Sequence, residues 1–109
     1  MHHIQNTQTL LFILSLDSQQ LWATVDDWQK SEWLYQQYCQ LEQELGDYNQ
    51  QLKKKKRLIA VNKIDLYSPA LLATIRQRFA QAKLTVNFIS IATGKGLVAL
   101  TNRVTKMFP

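Results

Sequence analysis

The stretch that decides the fold spans residues 57–65 and reads Arg57-Leu-Ile-Ala-Val-Asn-Lys-Ile-Asp65. Residues 58–61 are apolar without interruption, which is typical of a parallel strand covered on both faces. The polar tetrad of residues 62–65 follows without a linker, at the carboxyl end of that strand. We therefore predict a buried strand that leads directly into a polar loop.

Two further segments have the composition of strands. Residues 10–16 are apolar nearly throughout, and Asp17 and Ser18 then supply a polar turn. Residues 85–90 form the third predicted strand, which ends in a loop that contains Gly94 and Gly96.

Helical periodicity fills the segments between and after these strands. One apolar stripe predicts a long helix, which Gly46 is expected to weaken or end; its members are Leu34, Tyr38, Leu41, Leu45, Tyr48 and Leu52. Ser68 and Pro69 form a typical helix start, and residues 97–107 have the pattern of a last helix. The order β-α-β-α-β-α predicts an α/β fold in three layers, with about three strands in a mainly parallel sheet and three helices.

Composition limits the class of protein. The 109 residues are enough for one domain, and 46% apolar with 19% charged residues is a globular composition. Cys39 is the only cysteine, which excludes an internal disulfide and favours a reducing, cytoplasmic location. The longest apolar run is far shorter than the roughly 20 residues of a membrane helix, so no membrane contact is expected. His2 and His3 have no partner at a suitable spacing, so no metal site is predicted.

The two polar loops, residues 62–65 and 90–96, both follow predicted strands. In parallel α/β sheets, ligands bind outside the carboxyl ends of the strands. A carboxylate can accept two donors in parallel, and guanine presents its N1–H and its N2 amino group side by side. Adenine has an acceptor at N1 and no amino group at C2. Asp65 is therefore the candidate that distinguishes guanine from adenine.

Four other residues are expected to complete this site. The aliphatic stem of Lys63 can lie along an aromatic base, and Asn62 can connect one loop to the other because its side chain both donates and accepts. The Ser90 hydroxyl is expected to hold Asp65, and the backbone N–H of Ile91 to meet the guanine carbonyl. The alternative is a pair of strand-end turns in which Asp65 and Ser90 only cap helices.

These loops resemble those of a known family. Residues 61–66, Val-Asn-Lys-Ile-Asp-Leu, resemble the base-specificity motif of the translation-factor class of P-loop GTPases, and residues 89–97 resemble its partner loop. The Obg family of ribosome-associated GTPases is the closer match. Ahead of the strand, the chain has the residues Glu44-Leu45, Tyr48-Asn49 and Leu52 at the same spacing as in that family. Residues 3–11 resemble the stretch just after the family's switch II.

The resemblance implies a function as well as a fold. It identifies residues 1–109 as a single partial G domain that runs from the end of switch II to the last helix. It also implies that the guanine of GTP or GDP is bound by Asn62, Lys63, Asp65 and Ser90 and by the Ile91 amide. In this family GTP hydrolysis is linked to ribosome assembly.

The chain departs from the family in three respects. The family usually has Ala at the position of Ile91, and residues 17–33 show no sharp agreement with it. The phosphate-binding pattern Gly-x-x-x-x-Gly-Lys-Ser/Thr is absent, since glycine occurs only at positions 46, 94 and 96. We therefore expect weak nucleotide binding, no catalytic residues, no hydrolysis by this chain alone, and Mg²⁺ binding only in a complete G domain.

Other features are compatible with a binding module, although a solvated loop between a helix and a strand is the preferred interpretation of the basic run at residues 53–57. The net charge is +5, and one basic run is a candidate contact for RNA or the ribosome: Lys53, Lys54, Lys55, Lys56 and Arg57. The tryptophans at positions 22, 28 and 33 are expected to pack on the sheet or to cover its edge. A non-catalytic ribosome-, RNA- or protein-interaction module and a decayed GTPase fragment are the alternative functions, and an open sheet edge predicts self-association.

Overall fold

The computed structural model describes residues 9–48 and 56–107. Its centre is a three-stranded sheet in the order β1-β2-β3. The strands are β1 (Thr9–Leu14), β2 (Lys56–Val61) and β3 (Val86–Phe88). Both pairings are parallel, so the carboxyl ends of all three strands lie at one edge of the sheet. The fold is the predicted α/β fold.

In the part of the chain that the structure describes, four helices accompany the sheet. They are α1 (Ser18–Leu21), α2 (Asp27–Tyr48), α3 (Pro69–Gln81) and α4 (Leu97–Met107). A short 3-10 turn, Ile64–Leu66, follows β2. Within the described residues no helix is both long and apolar enough to span a bilayer.

The helices lie on both faces of the sheet because successive strand residues point to opposite faces. On one face, Ile59 and Val61 of β2 join a core with α2 and α3, to which Leu34, Ile75 and Phe79 contribute. On the other face a second cluster is formed by Ala60, Leu58, Ile89, Leu97 and Leu100, and it includes residues of α4. The structure therefore has the predicted three layers.

The face under α4 is covered only in part. Leu11 of β1 lies next to Leu58, and Ile13 lies next to Ala60. Although α4 packs on β2, the side chains of Leu11 and Ile13 are 44% and 47% exposed. The apolar sequence of β1 predicted that helices cover both faces of this strand, but in the structure only one face is fully covered.

Side chains of opposite charge connect α2 with α3. The Arg78 Nε donates to Glu32 Oε2 at 2.6 Å, and the Arg78 guanidinium carbon lies 3.9 Å from the centre of the Tyr35 ring. The hydrogen bond from Arg78 is the main reason why the pKa of Glu32 lies below its usual value. Tyr35 also packs edge-on against Phe79 at a centroid distance of 5.6 Å, so this polar contact borders the core.

Three local expectations require correction. The helix does not end at Gly46, which is buried inside α2, because tertiary packing outweighs a propensity cost of about 1 kcal/mol. Leu52, the last member of the stripe, lies outside the described residues. The third strand is only three residues long. The turn at Asp17 is the cap of helix α1, in which Asp17 Oδ1 accepts from the Gln20 N–H at 2.7 Å and the Gln20 side chain accepts from the Asp17 N–H.

The three tryptophans differ in how far they are exposed to solvent. Trp33 packs against the main core, but Trp22 is 79% exposed and Trp28 is 41% exposed. The expectation that all three pack on the sheet or cover its edge is wrong for Trp22, which caps the carboxyl end of the short helix α1 and leaves most of its side chain in solvent.

Leu34→Ala is expected to lower the free energy of unfolding by about 2–5 kcal/mol, because Leu34 is fully buried between α2 and the sheet and its loss leaves a cavity. Urea unfolding followed by circular dichroism measures this loss. Val98→Ala is the control, since Val98 is largely exposed on α4. A loss at Leu34 no larger than at Val98 would contradict this description of the core.

Candidate functional site

The two polar loops meet at the carboxyl edge of the sheet through backbone hydrogen bonds. The Asn62 N–H donates to the Leu14 carbonyl of β1 at 2.8 Å, and the Ile89 N–H donates to the Val61 carbonyl of β2 at 2.9 Å. The Ile64 N–H then crosses to the Ile89 carbonyl at 3.2 Å. The loop after β2 is therefore attached to both neighbouring strand ends.

Lys63 turns the chain from β2 into the 3-10 turn. Its φ of 70° is left-handed, a conformation that costs a non-glycine residue roughly 1–2 kcal/mol. This turn brings Ile64 into the core and leaves Asp65 exposed. Backbone strain of this kind is common at functional sites, where the surrounding structure maintains it.

Asp65 and Ser90 form the main contact between the two loops. The Ser90 hydroxyl donates to Asp65 Oδ1 at 2.8 Å, and it accepts from the Thr93 N–H at 3.3 Å. Ser90 is fully buried, whereas Asp65 is exposed. The buried hydroxyl therefore has both a donor and an acceptor partner, as buried polar groups require, and it holds a carboxylate that faces solvent.

Asn62 makes the second contact between the loops. The Ile91 N–H donates to Asn62 Oδ1 at 3.0 Å. The sequence predicted that Asn62 connects the loops, and in the structure it does so. The Ile91 amide was expected to serve a guanine carbonyl, but here its hydrogen bond goes to Asn62. The Ile91 side chain is 56% exposed.

Two glycines close the loop of residues 90–96. The Ser90 N–H donates to the Lys95 carbonyl at 2.9 Å, and the Gly94 N–H donates to the Ser90 carbonyl at 2.7 Å. Gly94 and Gly96 have φ of 81° and 79°, which favours glycine. At Gly96 a Cβ atom would lie 2.3 Å from the Phe88 carbonyl oxygen, whereas at Gly94 it would meet nothing within 4 Å.

Tyr67 is a site residue that the sequence analysis missed. Its hydroxyl accepts from the Leu16 N–H at 3.0 Å, which connects the segment after β1 to the turn that carries Asp65. Burial raises the pKa of Tyr67 above its usual value, so the hydroxyl is neutral at pH 7. The sequence around Tyr67 gives no sign of this contact, because the partner is a backbone amide that is far away in the sequence.

The candidate contact for RNA is only partly described. Lys53, Lys54 and Lys55 lie outside the described residues. Lys56 is exposed at the start of β2. Arg57 forms a salt bridge with Glu42 and also donates to the Tyr38 hydroxyl, so it serves the fold. In the described ranges 9–48 and 56–107, no group of three or more His, Cys, Asp or Glu side chains could hold a metal ion.

Comparison with known proteins gives one consistent relationship. No family model matches the chain. Among curated proteins, it is 28% identical over 108 residues to the GTPase Obg of Lawsonia intracellularis. It is 30% identical over 106 residues to the GTPase Obg of Magnetococcus marinus, and 30% identical over 95 residues to that of Nitratidesulfovibrio vulgaris strain Miyazaki F. These alignments cover 96%, 94% and 87% of the chain.

The chain is a relative of the Obg GTPases. This confirms the resemblance drawn from the two loops and from the residues ahead of β2. The alignments include 26%, 25% and 24% of the three relatives, so the chain spans about a quarter of the length of the Obg proteins that it matches.

Gly94 and Gly96 provide a matched test of the loop geometry. Gly94→Ala is expected to lower the free energy of unfolding by roughly 1–2 kcal/mol, the cost of a left-handed residue with a Cβ. Gly96→Ala should cost more, because its Cβ also collides with the Phe88 carbonyl. Urea unfolding measures both. Equal losses at the two positions would contradict the close approach of the loop to β3.

Proposed function

We propose that this chain is the guanine-recognition part of an Obg-type GTPase. It binds the base of GTP or GDP through Asn62, Lys63, Asp65, Ser90 and the Ile91 backbone. The observation that carries this proposal is the hydrogen bond from Ser90 to Asp65, which orients an exposed carboxylate at the carboxyl edge of the sheet. The relationship to proteins named GTPase Obg supports it.

Selectivity for guanine follows from the chemistry of Asp65. Its carboxylate only accepts hydrogen bonds, and guanine places the N1–H and N2 amino donors side by side. Adenine would place its N1 acceptor against the same carboxylate and supply no donor at C2. A carboxylate left unpaired on binding carries its desolvation cost uncompensated, so a site of this type rejects the wrong base strongly.

Asn62 and Lys63 supply the rest of the base contact. With Oδ1 of Asn62 accepting from Ile91, its Nδ2 is the end that can donate to an acceptor on the base. The aliphatic stem of Lys63 can cover the ring while its ammonium stays in water. The Ile91 amide can serve the guanine carbonyl by sharing its hydrogen with Asn62 or by exchanging one acceptor for the other.

Binding by the chain itself is expected to be weak and without hydrolysis. Phosphoryl transfer depends on positioning and charge stabilisation by a glycine-rich phosphate loop, its lysine and Mg²⁺. The sequence of this chain has no such loop. We therefore assign the phosphate contacts, Mg²⁺ and hydrolysis to a complete G domain, and base recognition to this chain.

A second candidate function is contact with RNA or the ribosome. It is supported by five consecutive basic residues, 53–57, and by a net charge of +5. Because Arg57 pairs with Glu42, the contact rests on the four lysines of the run. Phosphate contacts of this kind are electrostatic and carry no sequence information.

Titration of the chain with guanosine, adenosine and GDP tests base recognition. Guanosine is expected to shift the amide resonances of residues 62–66 and 89–96, adenosine to leave them unchanged, and GDP to bind no more than modestly better than guanosine. Asp65→Asn should weaken guanosine binding by roughly 10- to 100-fold, since a charged acceptor is lost. Two-dimensional NMR measures these shifts.

Asp47→Asn is the matched control, because Asp47 is an exposed carboxylate on α2 outside both loops. It should leave guanosine binding unchanged. Equal shifts with guanosine and adenosine, or equal losses in the two variants, would refute base recognition by Asp65.

RNA contact is tested through its salt dependence. Replacing all four lysines at positions 53–56 by glutamine should reduce the slope of log affinity against log salt, by about 0.7 to 0.9 for each lysine that contacts a phosphate. Co-sedimentation with ribosomal subunits across a salt series measures the slope. Lys83→Gln, at an exposed lysine after α3, is the control, and an unchanged slope in the fourfold variant would exclude the contact.

A further inference from the structure

The turn that carries Asp65 is held to the segment after β1 by a side chain. The Asn62 and Ile64 amides bond to backbone carbonyls at the ends of β1 and β3, and such bonds do not depend on residue type. Tyr67 ends the same turn, and its hydroxyl accepts from the Leu16 N–H at 3.0 Å. A substitution at Tyr67 can therefore release this end of the turn while the backbone bonds at its start remain.

Both partners of this hydrogen bond belong to buried residues. Tyr67 and Leu16 are both part of the main core, so the hydroxyl and the amide cannot exchange each other for bulk water without a cost. A buried amide that loses its acceptor keeps its desolvation cost uncompensated. The contact therefore favours one position of the turn over neighbouring positions in which the Leu16 N–H would have no partner.

The segment after β1 is itself fixed by helix α2. The side-chain amide of Gln37 binds both backbone polar groups of Ser15: its Oε1 accepts from the Ser15 N–H at 3.1 Å, and its Nε2 donates to the Ser15 carbonyl at 3.2 Å. Ser15 directly precedes Leu16, whose amide binds Tyr67. A continuous chain of contacts therefore leads from α2 through residues 15 and 16 to the turn of Asp65.

The position of Asp65 depends on that of Tyr67 because the two residues share a short turn. The Tyr67 N–H donates to the Ile64 carbonyl at 3.1 Å, so a displacement of Tyr67 also displaces the backbone between them. The Asp65 carboxylate has to meet two parallel donors of guanine while its Oδ1 accepts from the Ser90 hydroxyl. Hydrogen bonds weaken steeply with poor angles, so this arrangement tolerates little displacement.

We propose that Tyr67 and Gln37 are positioning residues for base recognition. They hold the turn after β2 in the place where the Asp65 carboxylate is preorganised for guanine, and they act without contacting the base. This inference rests on the proposed function and extends it to two residues outside the polar loops of residues 62–65 and 90–96. Because preorganisation lowers the cost of binding, loss of either contact weakens guanosine binding while guanine remains the preferred base.

Tyr67→Phe tests the first contact, because it removes the hydroxyl and keeps the ring. Guanosine binding to the full chain, measured by two-dimensional NMR, is expected to weaken roughly 3- to 10-fold. Without ligand, the amide resonances of residues 90–93 on the other loop should also shift, since their contact with Asp65 changes. Tyr38→Phe is the matched control. It removes a hydroxyl that is bonded to Glu42 and Arg57, away from both loops, and should change neither readout.

Gln37→Met tests the second contact. Methionine has a similar length and helix propensity but no amide, so the backbone groups of Ser15 lose their partner on α2. Guanosine binding is expected to weaken by roughly 2- to 5-fold, less than in Tyr67→Phe because the contact is one step further from Asp65. Gln36→Met changes an exposed neighbour on the same helix and should leave guanosine binding unchanged.

The two readouts separate positioning from folding. Circular dichroism identifies conditions under which every variant is folded, and there a loss of stability alone leaves guanosine binding unchanged. Unchanged guanosine binding in Tyr67→Phe, or a loss equal to that in Tyr38→Phe, would overturn the positioning role and leave base recognition by Asp65 standing. If the unaltered chain bound guanosine and adenosine alike, base recognition itself would be refuted, and the positioning role with it.

Discussion

The structure depends on the parallel register of β2 between β1 and β3. Because all three strands run in one direction, Val61 ends β2 beside Leu14 of β1 and Phe88 of β3. Hydrogen bonds from the Asn62 and Ile89 amides continue that register past the strand ends. Two loops far apart in sequence are therefore brought within hydrogen-bonding distance, and polar residues at those positions can share one ligand.

Much of this arrangement could be predicted from the sequence. The apolar runs and helical stripes depend on local periodicity, so the strands, the long helices and their parallel order follow from them. Ser68 caps α3 as its sequence predicts, by accepting from the Leu71 N–H at 3.1 Å. The contact between Ser90 and Asp65 could also be predicted, because a hydroxyl and a carboxylate at neighbouring strand ends are a natural donor and acceptor pair. That these residues bind guanine stays a prediction.

The remaining features depend on contacts between distant residues. Trp22 is exposed, although its large apolar side chain was expected to pack on the sheet or to cover its edge. Gly46 continues a helix that its propensity would weaken, since packing against the sheet supplies more stability than one glycine removes. The hydrogen bond from Ile91 to Asn62 and that from Leu16 to Tyr67 join a backbone amide to a side chain on another loop. Such partners have no periodic pattern in the sequence, so only the folded chain reveals them.

The geometry also separates base selectivity from binding strength. The contacts that orient Asp65, namely those through Ser90, Asn62 and the Ile64 amide, all lie within the described part of this chain. They need no phosphate loop, so the proposed preference for guanine depends on these two loops alone. Affinity is different, because most of the charge on a nucleotide is on its phosphates and the sequence has no glycine-rich loop to bind them. The proposed function therefore combines selectivity for a base with weak binding of the nucleotide.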